Sequence, residues 1–271
     1  MALTNGPKGR NAYGVELRER REVRGWTQEE LGVRAVMSRS HIAHIEAGRR
    51  FPSVEDAVRL DQVLETGGVF RRFLPESKLA TFFAGVAEME PQAAMIRTFT
   101  QSLVHGLLQT PDYTRAVFDA YFPRRSEEQC AEDIRTRRAR ANILNDPVSP
   151  ELWALLDEAA LRRVIGGPSV MAAQLRHIYE LAERQRIRVH VLPFSVGAHP
   201  LLEGPLTLMR FEDMAPLAYV EGLSTGTVLD SPAVVEQWLV SYDLALGDAL
   251  SHRESIAFLK GVEEEYEHAA R

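Results

Sequence analysis

Arg39, Ser40, His41 and His44 crowd hydrogen-bond donors into six residues, with the small Ala43 among them. On a helix, Arg39, Ser40, Ala43 and His44 share one face while Ile42 and Ile45 share another. Short or donor-rich side chains in that arrangement suit the base edges of a DNA major groove, where arginine most naturally reads guanine. His41 stands beside that face. Gln28 falls at the start of the preceding helical stretch, where a side-chain amide and free backbone amides can hold a phosphate. Arg49 and Arg50 follow the donor-rich stretch and are expected to clamp the DNA backbone.

These side chains need short helices to aim them, and the pattern predicts four, over 13–24, 27–35, 38–47 and 53–65. Thr27 and Ser53 are suitable N-caps, each with an acid three residues on, Glu30 and Asp56. Pro52 separates the last two helices and Gly67-Gly68 closes the set. Leu31 and Ala35 on one helix, and Ile42 and Ile45 on the next, can be buried only against each other and helix 13–24. Residues 1–12 read as a mobile arm, 13–68 as a helix-turn-helix DNA-binding domain, 69–90, broken at Pro75, as a linker, and 91–271 as an effector or partner-binding domain.

Residues 27–53 resemble the Xre and phage-repressor class of helix-turn-helix, whose usual text runs T-Q-E-E-L-A, a turn, then S-x-S-x-I-S-x-I-E-x-G. Thr27 to Leu31, Ser38, Ser40, Ile42, Ile45, Glu46 and Gly48 carry the match. The resemblance implies a lambda-repressor-like fold. It also implies phosphate contacts from Gln28 and Ser38, base contacts from Arg39, Ser40 and His44, and an internal ion pair between Arg21 and Glu46. Two residues depart from the pattern. Gly32 replaces an alanine, and Val36 stands where a turn glycine tolerant of positive φ is usual.

Charge divides the chain in the same sense. Residues 1–53 hold ten Lys and Arg against six Glu, a balance of +4, and the remainder of the chain carries −10. A basic first fifth on an acidic body points to one segment meeting a polyanion. No apolar run approaches the roughly 18 residues of a membrane helix. The opening MALTNGPKGRNAYG lacks the apolar region of a signal peptide, and Cys130 is the single cysteine, so a cytoplasmic protein without disulfides or membrane contact is expected.

Beyond residue 90 the pattern is mixed. Strands are predicted at 94–104, 151–157, 187–193, 205–211 and 217–222, and helices at 111–121, 126–144, 168–184, 232–247 and 251–266. That is an α+β (mixed α/β) domain. VHGLLQTPDYTRAVF (104–118), the stretches 155–175 and 188–211, and LAYVEG (217–222) resemble the C-terminal domain of actinobacterial regulators described as antitoxin-like. His105 replaces a proline of the first motif. The resemblance implies a small partner protein encoded nearby.

Candidate chemistry in this part is sparse. Asp157-Glu158 reads as a strand end and helix cap, His190 as a strand residue, and Cys130 as inert. His190 and His199 with scattered acids lack metal-ligand spacing, and Ser195, Glu203 and Glu212-Asp213 form no catalytic constellation. The 195–202 loop with His199 is expected to flank a ligand or partner groove. Neither catalysis, a metal nor a cofactor is expected. A homodimer on paired half-sites of double-stranded DNA is, since one recognition helix offers few base contacts. The alternative is an antitoxin-like protein whose C-terminal domain binds its small partner, with DNA binding for autoregulation.

Overall fold

A computed structural model describes residues 7–74, 81–120, 126–145, 150–223 and 225–271, with backbone alone for 7–11 and 81–84. The chain divides into two compact units, Met1–Met89 and Glu90–Arg271.

The first unit is helical: α1 (Pro7–Val23), α2 (Gln28–Ala35), α3 (Arg39–Glu46), α4 (Val54–Val63), α5 (Val69–Phe73) and α6 (Thr81–Met89). Its core joins Tyr13 and Leu17 of α1 to Leu31 and Ala35 of α2, Ile42 and Ile45 of α3, and Ala57 and Leu60 of α4. Helices α2, α3 and α4 are too short to persist alone in water, so this shared apolar face is what holds them. Tyr13 packs edge-on against Phe51 at 5.4 Å and beside Phe70 at 5.3 Å.

The structure corrects two boundaries. Helix α1 begins at Pro7, so the segment read as a mobile arm is helical from that residue. Residues 69–73, read as linker, form α5, and its Phe70 is fully buried in the helical core. Gly67 and Gly68 have φ of 63° and 88°. They reverse the chain after α4 instead of ending the domain, and the Asp61 carboxylate accepts the Phe70 and Arg71 amides at 2.8 and 2.9 Å, capping α5. Pro75 lies outside the described residues.

The second unit carries a mixed six-stranded sheet. In chain order its elements are β1 (Met95–Thr100), α7 (Pro111–Asp119), α8 (Glu127–Ala141), β2 (Glu151–Asp157), α9 (Glu158–Arg162), α10 (Pro168–Glu183), β3 (Ile187–Leu192), β4 (Leu206–Arg210), β5 (Leu217–Gly222), β6 (Thr225–Leu229), α11 (Pro232–Gly247) and α12 (His252–Ala269). The sheet order is β3-β2-β1-β4-β5-β6. β1, β2 and β3 run parallel, which demands the helical crossovers between them, and β4 to β6 form an antiparallel meander. β6 was not expected: Thr-Gly-Thr-Val-Leu is short, with a glycine inside, and does not alternate in hydrophobicity.

On one sheet face Phe99, Leu155, Leu206, Leu208 and Ala218 meet Val235, Tyr242 and Ala245 of α11. Helices α10 and α12 pack on each other and on β3. The 104–118 motif is architectural. Thr110 caps α7, Gln174 accepts the Thr110 amide at 2.8 Å and donates to Leu108 O at 2.7 Å, and Tyr113 Oη accepts the Val104 amide. His105, in place of the proline, accepts the Leu107 amide through Nδ1 at 3.3 Å.

Candidate nucleic-acid interface

Helices α2 and α3 are held at both ends. Thr27 Oγ1 accepts the Glu30 amide at 3.1 Å and the Glu30 carboxylate accepts the Thr27 amide at 2.7 Å, a complete capping box. Ser38 caps α3, its Oγ accepting the His41 amide at 3.1 Å and lying 3.0 Å from Ser40 Oγ.

The turn between them is unusual. Val36 adopts φ 55°, ψ 47°, a left-handed conformation in which its Cβ crowds the backbone. Gly32 sits beneath it. A Cβ on Gly32 would lie 2.7 Å from Met37 O, which is backbone. The two departures from the family pattern thus belong together: the turn closes onto residue 32, where an alanine methyl has no room.

The C-terminal end of α3 is fixed by charge. Glu46, with a nearly buried side chain, accepts from Arg21 Nε at 2.6 Å and Nη2 at 2.9 Å, and from Gln28 Nε2 at 3.0 Å. Arg21 also donates to Trp26 O at 2.7 Å. The hydrogen bond to Glu46 is the main reason Arg21 holds its proton more tightly than an ordinary arginine. A glycine completes the bracket: a Cβ at Gly14 would meet Ile45 O at 2.3 Å, so α1 approaches the end of α3 as closely as backbone permits. The sequence reading missed Gly14, which belongs to no motif used there.

With Ile42 and Ile45 buried, α3 turns Arg39 to solvent, and Ser40, Ala43 and His44 are half-buried beside it. The Arg39 side chain has no hydrogen-bond or ion-pair partner among the described residues. Arg49 is half-buried just past the helix.

Two residues expected at the interface lie elsewhere. The His41 side chain, 13% exposed, points at α4, with Nε2 3.8 Å from Asp56 Oδ2. Burial first, then the nearby Arg50, His44 and Arg59, push its pKa well below that of a free histidine and keep it neutral. Arg50 is 5% exposed and is not presented at the surface as a backbone clamp would be. For His41 the cause is plain: helical spacing places it at the rim of the face, and only the position of α4 decides to which side it belongs.

Of the second unit's candidates only Asp157 and His199 come together, and the rest serve as caps and packing residues. Asp157 caps α9 by accepting the Ala159 amide at 2.8 Å, and Glu158 pairs with Arg162 at 2.6 Å and accepts the Phe194 amide. His190 Nδ1 donates to Leu250 O at 3.0 Å and its ring stacks on Trp153. The His199 side chain is buried, 3.5 Å from Asp157 and edge-on to Phe99, so it does not line an open groove. Cys130 is buried. Among the described residues no three His, Cys, Asp or Glu gather as a metal site, and no helix is long and apolar enough to cross a membrane.

Residues 12–74 match the family model of a helix-turn-helix domain, which supports a DNA-binding regulator. Residues 83–261 match the model described as a domain of unknown function, DUF5753. No curated protein and no solved structure matches the chain.

Proposed function

Because the chain belongs to the DUF5753 family and carries a helix-turn-helix ahead of that domain, we propose that it is a sequence-specific transcriptional regulator of the Xre type. It acts in the cytoplasm as a homodimer on paired half-sites about one helical turn apart. The observation that carries this reading is α3 itself: anchored by Ile42, Ile45 and the Arg21–Glu46–Gln28 cluster, it leaves Arg39 unengaged on its outer face.

Arg39 reads a base, with Ser40 and His44 beside it. Arg49 holds phosphate. Ser38, already a cap, reaches a phosphate through its hydroxyl. Gln28, with one amide proton on Glu46, offers phosphate its other proton and the first amides of α2. Residues up to 74 form the DNA-binding part and those from 90 the effector part.

Binding of the full chain to its operator and to random DNA, followed by fluorescence anisotropy, tests this. Arg39→Ala is expected to lose about 10- to 100-fold on the operator and little on random sequence, whereas Arg49→Ala weakens both alike. Equal loss on both DNAs for Arg39→Ala removes the base-reading role.

The acidic balance of −10 beyond residue 53 favours a second reading, an antitoxin-like protein whose C-terminal unit neutralises a small basic partner encoded nearby. A stoichiometric basic partner from the adjacent gene, purified with the chain from its native host, supports it. Its absence from such purifications leaves the regulator alone.

A further inference from the structure

The sheet of the second unit treats its two edges differently. Along β3 the segment 250–255 covers the outer edge. The Val191 amide donates to Ser255 Oγ at 2.9 Å, the Leu250 amide donates to Val191 O at 2.9 Å, and His252 Nδ1 lies 3.2 Å from Val189 N. At the other edge β6 pairs, among the described residues, with β5 alone.

Open edge strands normally carry a lysine, a proline, a bulge or a cover that discourages pairing. β6, Thr-Gly-Thr-Val-Leu, has neither charge nor proline, and Leu223 just before it is 99% exposed. Its neutrality stands out in the acidic part of the chain. Two copies repel over most of that surface, and an uncharged edge is where like can approach like.

The strand is also complementary to itself. Laid antiparallel on a second β6 with Thr227 on a two-fold axis, Gly226 faces Val228 and Thr225 faces Leu229. No charges oppose, and threonine faces threonine at the centre. We infer that a second copy of this chain pairs antiparallel along β6, joining two sheets into one across a two-fold axis. This rests on the homodimer reading above and names its surface. The same neutrality disfavours a basic partner here, since such a partner gains nothing from an uncharged edge.

Light scattering and sedimentation of the full chain without DNA provide the test. The native chain is expected to be a dimer. Thr227→Lys and Thr227→Glu, each placing like charges opposite one another at an exposed position, should be monomers with unchanged circular dichroism. Mixing the two in equal amounts should restore the dimer, because lysine then faces glutamate. Thr227→Cys should cross-link on oxidation, since paired antiparallel residues lie about 4.5 to 5.5 Å apart between Cα atoms, while the buried Cys130 should not. A native chain that stays monomeric overturns both this inference and the homodimer reading. A native dimer that survives Thr227→Lys and yields no cross-link through Thr227→Cys overturns the β6 surface only and leaves the homodimer standing.

Discussion

At the scale of single residues, the helix-turn-helix depends on exchanges that read as defects in isolation. Val36 is a β-branched residue in a left-handed conformation, a strain of about 1–2 kcal/mol, and it is 77% exposed, so its side chain recovers little by burial. Gly32 gives the turn carbonyl the space that an alanine would fill. Val36→Gly is therefore expected to raise unfolding stability by up to about 1 kcal/mol, the relief of strain being partly offset by the extra freedom of glycine in the unfolded chain. Gly32→Ala should lower stability by about 1–3 kcal/mol through overpacking. Urea denaturation of the two variants measures both, and a neutral Gly32→Ala would show that the turn relaxes freely. The departures at 32 and 36 were visible in the sequence. Their coupling was not, because it depends on where Met37 O points.

At the scale of elements, helix ends and helix contacts carry most of the specification. Capping residues were legible because a cap is local: Thr27 and Ser53 each accept the amide three residues on, within one turn. Beyond the helix-turn-helix, whose Arg21–Glu46 pair the family resemblance implied, contacts between elements were not. Glu90 is fully buried at the start of the second unit and meets α8 through Arg140 at 2.9 Å. Burial pushes its carboxyl up to about 7, with Arg140 pulling the other way. The folded chain thus holds this proton more tightly than the unfolded chain, and stability falls as pH rises from the ordinary carboxylate range to about 7. Glu90→Gln removes that titration. The stability of the native chain relative to Glu90→Gln should decline over this window and level off above it, as thermal melts across pH can follow. A difference that rises with pH would mean that Arg140 outweighs burial.

At the scale of the whole molecule, charge separates the two ends of the chain, +4 over residues 1–53 and −10 beyond. Phosphate-driven binding releases counterions, so the affinity of the full chain for DNA should fall linearly on a log–log plot against salt. Arg49→Ala should make that slope shallower by about 1, and Arg39→Ala, if it reads a base, should leave it nearly unchanged. Titrations at several salt concentrations separate the two roles, and identical slopes for all three proteins would remove the phosphate contact from Arg49. From the sequence alone came whatever depends on near neighbours or on composition: the helices α2 to α4, five of the six strands, the caps Thr27, Ser53 and Asp157, the apolar faces of Leu31, Ala35, Ile42 and Ile45, and the charge division. Tertiary structure alone decided that His41 and Arg50 turn inward, that α5 belongs to the helical core, that Gly14 lets α1 touch the end of α3, and that β6 closes the sheet as an open edge. Each of these turns on which distant surface a residue meets, and periodicity along a chain specifies faces without saying what will cover them.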